Sequence, residues 1–154
     1  GNNTLYSVNK TQVTAGQYLT MRGQVDFKSA YVNSVSDVKL VFELAEGSSF
    51  VENSVMVGRT LSSYEVNGNT ISIPVDANSE QVRFCVMPTE GGKFTSSAHV
   101  EFAYEGNMMQ QPIGDVTYNV KDLSISVPEL IARTQLPVRG VAFGKSEVEV
   151  YDNG

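Results

Sequence analysis

Apolar residues recur at every second position along most of this chain, the period that a strand with one buried face imposes. Over 19–27, Leu19, Met21, Val25 and Phe27 share a face, and over 38–44 the set is Val38, Leu40, Phe42 and Leu44. Val82, Phe84 and Val86 repeat the rule, as do Ala98, Val100, Phe102 and Tyr104, and then Val116 and Val120. A short strand is expected over 54–57. Tyr64-Glu65-Val66 meets Thr70-Ile71-Ser72-Ile73 across Asn67-Gly68-Asn69, whose Asn-Gly supplies the positive φ angles of a tight hairpin. Turn formers separate the runs: Ala15-Gly16, Glu46-Gly47-Ser48-Ser49, Pro88, Gly91-Gly92, Gly106-Asn107 and Gly114-Asp115. No window carries a sustained helical period with caps at both ends. Val, Ile and Thr total 37 against 16 for Leu plus Ala, a bias in the same direction. The expected fold is all-β: an immunoglobulin-like β-sandwich of about seven to nine antiparallel strands.

A length of 154 residues leaves room for one domain and part of another. Leu19-Thr20-Met21-Arg22-Gly23 is matched 117 residues further on by Leu136-Pro137-Val138-Arg139-Gly140. At the same offset Tyr6 and Val8 fall on Leu123 and Ile125. This predicts a sandwich module over 1–120 and the opening strands of a following β module over 121–154. The alternative is one larger sandwich over 1–154. No segment reaches the ~18 apolar residues of a membrane span, so direct membrane insertion is not expected. No basic-then-apolar leader opens the chain, yet its Ser, Thr, Asn and Gly content suits a secreted β protein. The expectation is an excised piece of a larger chain.

The formal net charge of -6 repels a nucleic-acid backbone. One Cys excludes an internal disulfide framework, and one His excludes a multi-histidine metal site. His99 is out of phase with Ala98 and Val100, so it is expected to face solvent or a sheet edge. No Gly-x-Ser-x-Gly elbow accompanies it, so no catalytic residue and no enzyme activity are expected. Cys85 reads as a small buried hydrophobe. The acidic clusters at 76–80 and 152–154 lack the spacing of a twelve-residue calcium loop; calcium is the one ion they suggest, and no cofactor is expected. Lys10, Asn119 and Glu101 lie on early and late strands, the residue types of an intramolecular isopeptide bond. Met108-Met109-Gln110-Gln111-Pro112 reads as a loop before the last strand, a strand edge or a small contact patch. Tyr31 and Tyr64 are the candidate ligand-binding residues. Each lies in a loop-like stretch near Asn33 and Ser34 or Ser62 and Ser63, and exposed aromatic faces with polar neighbours stack sugars. The plainer reading is that they staple loops to the sheet edges.

Three further segments form an ordered pattern. Val13-Thr14-Ala15-Gly16-Gln17-Tyr18-Leu19-Thr20 opens it, and Phe50-Val51-Glu52-Asn53-Ser54-Val55-Met56-Val57 follows an acidic turn. Gly92-Lys93-Phe94-Thr95-Ser96-Ser97-Ala98-His99-Val100 closes it. This stretch, about 13–102, resembles the repeat module of Gram-positive cell-surface proteins known as domain of unknown function eleven. It departs from that pattern where Asn33-Ser34-Val35 replaces the usual Asn-x-Gly. The tail from Val138 to Tyr151 resembles the start of a bacterial immunoglobulin-like repeat. The resemblance implies a non-catalytic structural or spacer module, extracellular, at the cell surface or in the cell wall. Its partners would be neighbouring domains of the parent chain and, if it contributes to adhesion, a glycan or host protein. The alternatives are a carbohydrate- or protein-binding sandwich and an accessory domain of a secreted enzyme.

Overall fold

The computed structural model describes residues 5–78 and 80–123. The alternating runs become eleven strand segments: β1 (Tyr6–Val8), β2 (Gln12–Thr14), β3 (Leu19–Gly23), β4 (Val35–Glu43), β5 (Met56–Val57), β6 (Thr60–Leu61), β7 (Glu65–Asn67), β8 (Thr70–Pro74), β9 (Val82–Val86), β10 (Gly92–Tyr104) and β11 (Asn107–Lys121). Among the described residues there is no α-helix, only a 3-10 turn over Val32–Ser34. No described helix is long and apolar enough to cross a membrane. One sheet has the order β1-β3-β9-β5-β6 and the other β2-β11-β10-β4-β8-β7. This is the expected immunoglobulin-like sandwich.

The segments outnumber the expected strands for local reasons. The first edge strand breaks at 9–11 and changes sheet. Asn9 closes the first ladder: its N–H donates to the Thr20 carbonyl at 3.0 Å, and its Oδ1 accepts from the Thr20 N–H at 2.8 Å. The chain then joins the other sheet, where the Asn119 N–H donates to the Thr11 carbonyl and the Ala15 N–H to the Lys121 carbonyl, both at 2.8 Å. β2 runs parallel to β11, whereas the sequence led us to expect antiparallel strands throughout. A strand that passes straight from one layer to the next keeps its direction, and it meets a last strand already running that way. The run over 19–27 forms hydrogen-bonded strand only to Gly23; Val25 and Phe27 still turn inward from irregular chain. At 54–57 only Met56–Val57 pairs, because Ser54 donates its hydroxyl to the Val51 carbonyl at 2.6 Å and accepts the Cys85 N–H at 3.0 Å.

The predicted inward sets fill the space between the sheets. Leu19, Met21, Leu40, Phe42, Ile73, Val82, Phe84 and Val86 are fully buried. An aromatic run crosses the layers: Tyr6 to Phe42 at 5.2 Å between centroids, Phe42 to Phe84 at 4.9 Å, Phe84 to Phe50 at 5.9 Å and Phe50 to Tyr64 at 5.2 Å. Tilted and edge-on pairs of this kind add stability beyond their buried area. The Tyr6 hydroxyl and Ser96 Oγ share a 2.7 Å hydrogen bond, and Ser96 donates to the Glu43 carbonyl at 2.8 Å. Burial pushes the Tyr6 phenol well above its ordinary value, and the Ser96 hydrogen bond works against that shift.

Two hairpins show turn chemistry at work. β7 and β8 are joined at Gly68-Asn69, with Gly68 at φ +63°, so Asn67 is the last paired residue of the expected hairpin. β10 and β11 are joined by Glu105-Gly106 at φ +50° and +79°, the two positive angles of a type I′ turn. This tight turn places Met108-Met109-Gln110-Gln111-Pro112 inside β11, so the loop reading of that segment is corrected. Pro112 is compatible with a strand there because the edge strand β2 pairs only with Asn119, Val120 and Lys121 of β11, which leaves the outer side at Pro112 without a ladder. The module expected over 121–154 lies, past its first three residues, outside the described residues.

Candidate functional site

The outward face of the larger sheet brings several ionisable side chains together. β4 contributes Lys39, Val41 and Glu43, flanked by β8 and β10, so that Pro74, Lys39 and Glu101 form one cross-strand row and Ser72, Val41 and His99 the next. His99 lies on this outer face, out of phase with the core as expected, but it is not open to solvent: its side chain is 12% exposed. Its Nε2 is 2.9 Å from Glu101 Oε2, and its Nδ1 is 3.8 Å from Glu43 Oε2. Val41 beside it is buried at 4% exposure although it points away from the core. Each ring nitrogen of His99 thus faces a carboxylate, that of Glu101 at hydrogen-bonding distance and that of Glu43 farther off.

Cys85 is half-buried, with its sulfur 3.9 Å from the Thr20 hydroxyl. The isopeptide trio does not converge. Lys10 and Asn119 are exposed, and Asn119 pairs with Lys93 at one end of β10 while Glu101 lies eight residues along it. That separation is roughly 26 Å at the strand rise. Among the described residues, no three His, Cys, Asp or Glu side chains gather as metal ligands. The cluster at 152–154 lies outside the described residues, as does Ser79 of the other.

Tyr31 and Tyr64 enter different aromatic pairs. Tyr31, 46% exposed, packs edge-on against Tyr104 at 6.0 Å beside the β10–β11 turn. Phe27, in the irregular chain after β3, and Phe102 of β10 make a second pair at 5.0 Å nearby. Tyr64 is half-buried: its ring ends the core aromatic run, and its hydroxyl accepts the Asn53 N–H at 2.9 Å. Tyr64 also walls a shallow cleft of about 310 Å³ with Lys39, Ser63, Glu65, Ser72 and Pro74. Sequence reasoning selected Tyr64 and Ser63 but missed Lys39, Ser72 and Pro74. Only the pairing of β4 with β8 brings these three beside the tyrosine, although their outward phase was readable.

No protein-family model and no curated protein matches the sequence. Solved structures match the fold. The cohesin module of a Clostridium perfringens family 33 glycoside hydrolase superposes with a TM-score of 0.56 at 11% identity, covering 79% of this chain and 100% of that one. The C-terminal 35 kDa fragment of the Streptococcus agalactiae major pilin GBS80 gives 0.56 at 9% identity, over 75% of this chain and 54% of that one. The full-length Corynebacterium diphtheriae major pilin SpaD gives 0.54 at 15% identity, over 73% of this chain and 33% of that one. The chain thus spans about a third to a half of these two pilin chains. At such identities the shared property is the sandwich.

Proposed function

We propose that this chain is a non-catalytic structural module of a secreted or cell-surface bacterial protein, one link among neighbouring domains. The resemblance over 13–102 supports the setting, and the sandwich shared with pilin domains agrees with it. The observation that carries the structural role is the parallel pairing of β2 with β11. The chain enters the sandwich beside Gly114, whose added Cβ would lie 3.5 Å from Tyr6 Cβ, and leaves the ladder at Lys121. The two points are separated by seven residues of β11, roughly 23 Å. Tension between the ends therefore runs along β2 and β11 in opposite directions and loads their hydrogen bonds together. Single-molecule pulling through the two ends is expected to give one cooperative rupture. That force should exceed the one needed when the same chain is pulled between Gly68 and its C-terminal end, which lifts the β7–β8 hairpin from β4 one ladder pair at a time. Gradual extension at low force from the ends would remove the mechanical role. An accessory domain of a secreted enzyme is the same module in a different parent.

A second reading rests on the Tyr64 cleft. A tyrosine wall, two serine hydroxyls and an opposed Lys39 and Glu65 suit the hydroxyls and apolar face of a saccharide. On a glycan array the structural module is expected to show no saturable binding. Saturable binding that both Tyr64→Ala and Ser72→Ala abolish, with both variants still folded, would replace the first reading by this one.

A further inference from the structure

We infer that the hairpin half of β11 is a self-pairing edge, through which two copies of this chain join their larger sheets about a two-fold axis at Met109. β11 is second in its sheet, and the short outer strand β2 covers only Asn119, Val120 and Lys121 on its far side. Among the described residues no strand is hydrogen-bonded to that side over 107–113. The other sheet edges, β1, β6 and β7, are two or three residues long. Short or charged edges discourage pairing with another chain, whereas long uncharged ones invite it. The run Asn107-Met108-Met109-Gln110-Gln111-Pro112-Ile113 carries no charge, in a chain of net charge -6. Met108 is 66% exposed and Met109 44%.

The hairpin sets the phase of this edge. A two-residue type I′ turn closes on a hydrogen-bonded pair, here Tyr104 with Asn107. Asn107, Met109 and Gln111 therefore bond toward β10, and Met108 and Gln110 aim their N–H and carbonyl groups outward. Pro112 occupies the next outward position and has no N–H, so the free ladder ends there. Beyond it, the extra residue Ile113 makes a bulge between the pairs Ala98 with Gly114 and His99 with Pro112. One antiparallel register satisfies all four outward groups twice: Met108 opposite Gln110 of the second copy, and Gln110 opposite its Met108. Met109 then meets Met109, and Asn107 meets Gln111. Met109 faces its own copy, the amide of Asn107 faces that of Gln111, each Met108 lies against a Gln110, and no like charges are opposed in the ladder. The contact is isologous, as a closed dimer requires, and small, so it belongs with weak or transient interfaces.

The test is sedimentation of the full chain over a concentration series from roughly 10 μM to 1 mM, a range that weak association spans. The expected result is a reversible shift from one chain mass to two. Gln110→Pro removes an outward N–H that has no role in the monomer, and Met109→Lys opposes two like charges at the axis. Each is expected to weaken dimerisation at least tenfold with the β-sheet circular dichroism intact. Val66→Lys, on the opposite edge, should leave it unchanged. A wild-type chain that stays monomeric at the top of the range, or a dimer indifferent to both edge variants, overturns the proposal. So does a shift to species larger than two, because an edge of this kind closes on itself.

Discussion

Phe42→Ala is expected to lower the unfolding free energy by about 3–5 kcal/mol, as for a fully buried aromatic whose neighbours cannot close the space. Phe42 is 0% exposed, on the inward face of β4. Its ring is held between Tyr6 of β1 and Phe84 of β9, so one side chain joins both sheets at mid-core. Removing it leaves a void bounded by two rings that are themselves anchored, Tyr6 by Ser96 and Phe84 by Phe50. A loss of this size is a large share of the ~5–15 kcal/mol that a domain possesses. Lys39→Ala, three residues earlier and facing outward, should be nearly neutral. Paired urea melts decide the matter: equal losses at the two positions would mean that the facing of β4 is wrong.

Gly23→Ala is expected to destabilise by about 1–3 kcal/mol, the range for overpacking a full core. In an ordinary strand this exchange gains stability, because glycine loses the most chain entropy on folding. Here the added Cβ would lie 2.6 Å from Phe42 Cζ and 2.8 Å from its Cε2. The ring is pinned on both sides, so it cannot swing clear. The penalty should therefore shrink when Phe42 is first changed to Leu, a coupling that a double-mutant cycle in urea reads directly. If Gly23→Ala costs the same in both backgrounds, or stabilises the protein, the contact with Phe42 does not govern that position.

The two positions show what the linear chain reveals. That Phe42 turns inward was legible, because side-chain direction alternates by covalent geometry whatever the partner strand. Gly23 falls in the same inward phase, but its reason is a ring nineteen residues away on another sheet, and no local pattern encodes that. Pro112 and the Met-Gln pairs hid a strand because they break the alternation, and a lone edge does not demand it. Tyr64 was picked out as a surface aromatic, but its packing on Phe50 and its bond to Asn53 come from chain crossings. Of the two carboxylates beside His99, Glu101 shares its face two residues along the same strand and was readable, whereas Glu43 reaches it only through the β4–β10 register.

The first strand's divided allegiance bears on how the molecule is made. β2 can take its place only after Asn119, Val120 and Lys121 exist to receive it, near the end of the sandwich's own synthesis. Bonds between such remote residues form late and slowly, since a long loop must close before they are gained. A growing chain of this design cannot complete its larger sheet until its final strand is delivered, so the ladder between its first and last strands is the clasp that closes the sandwich.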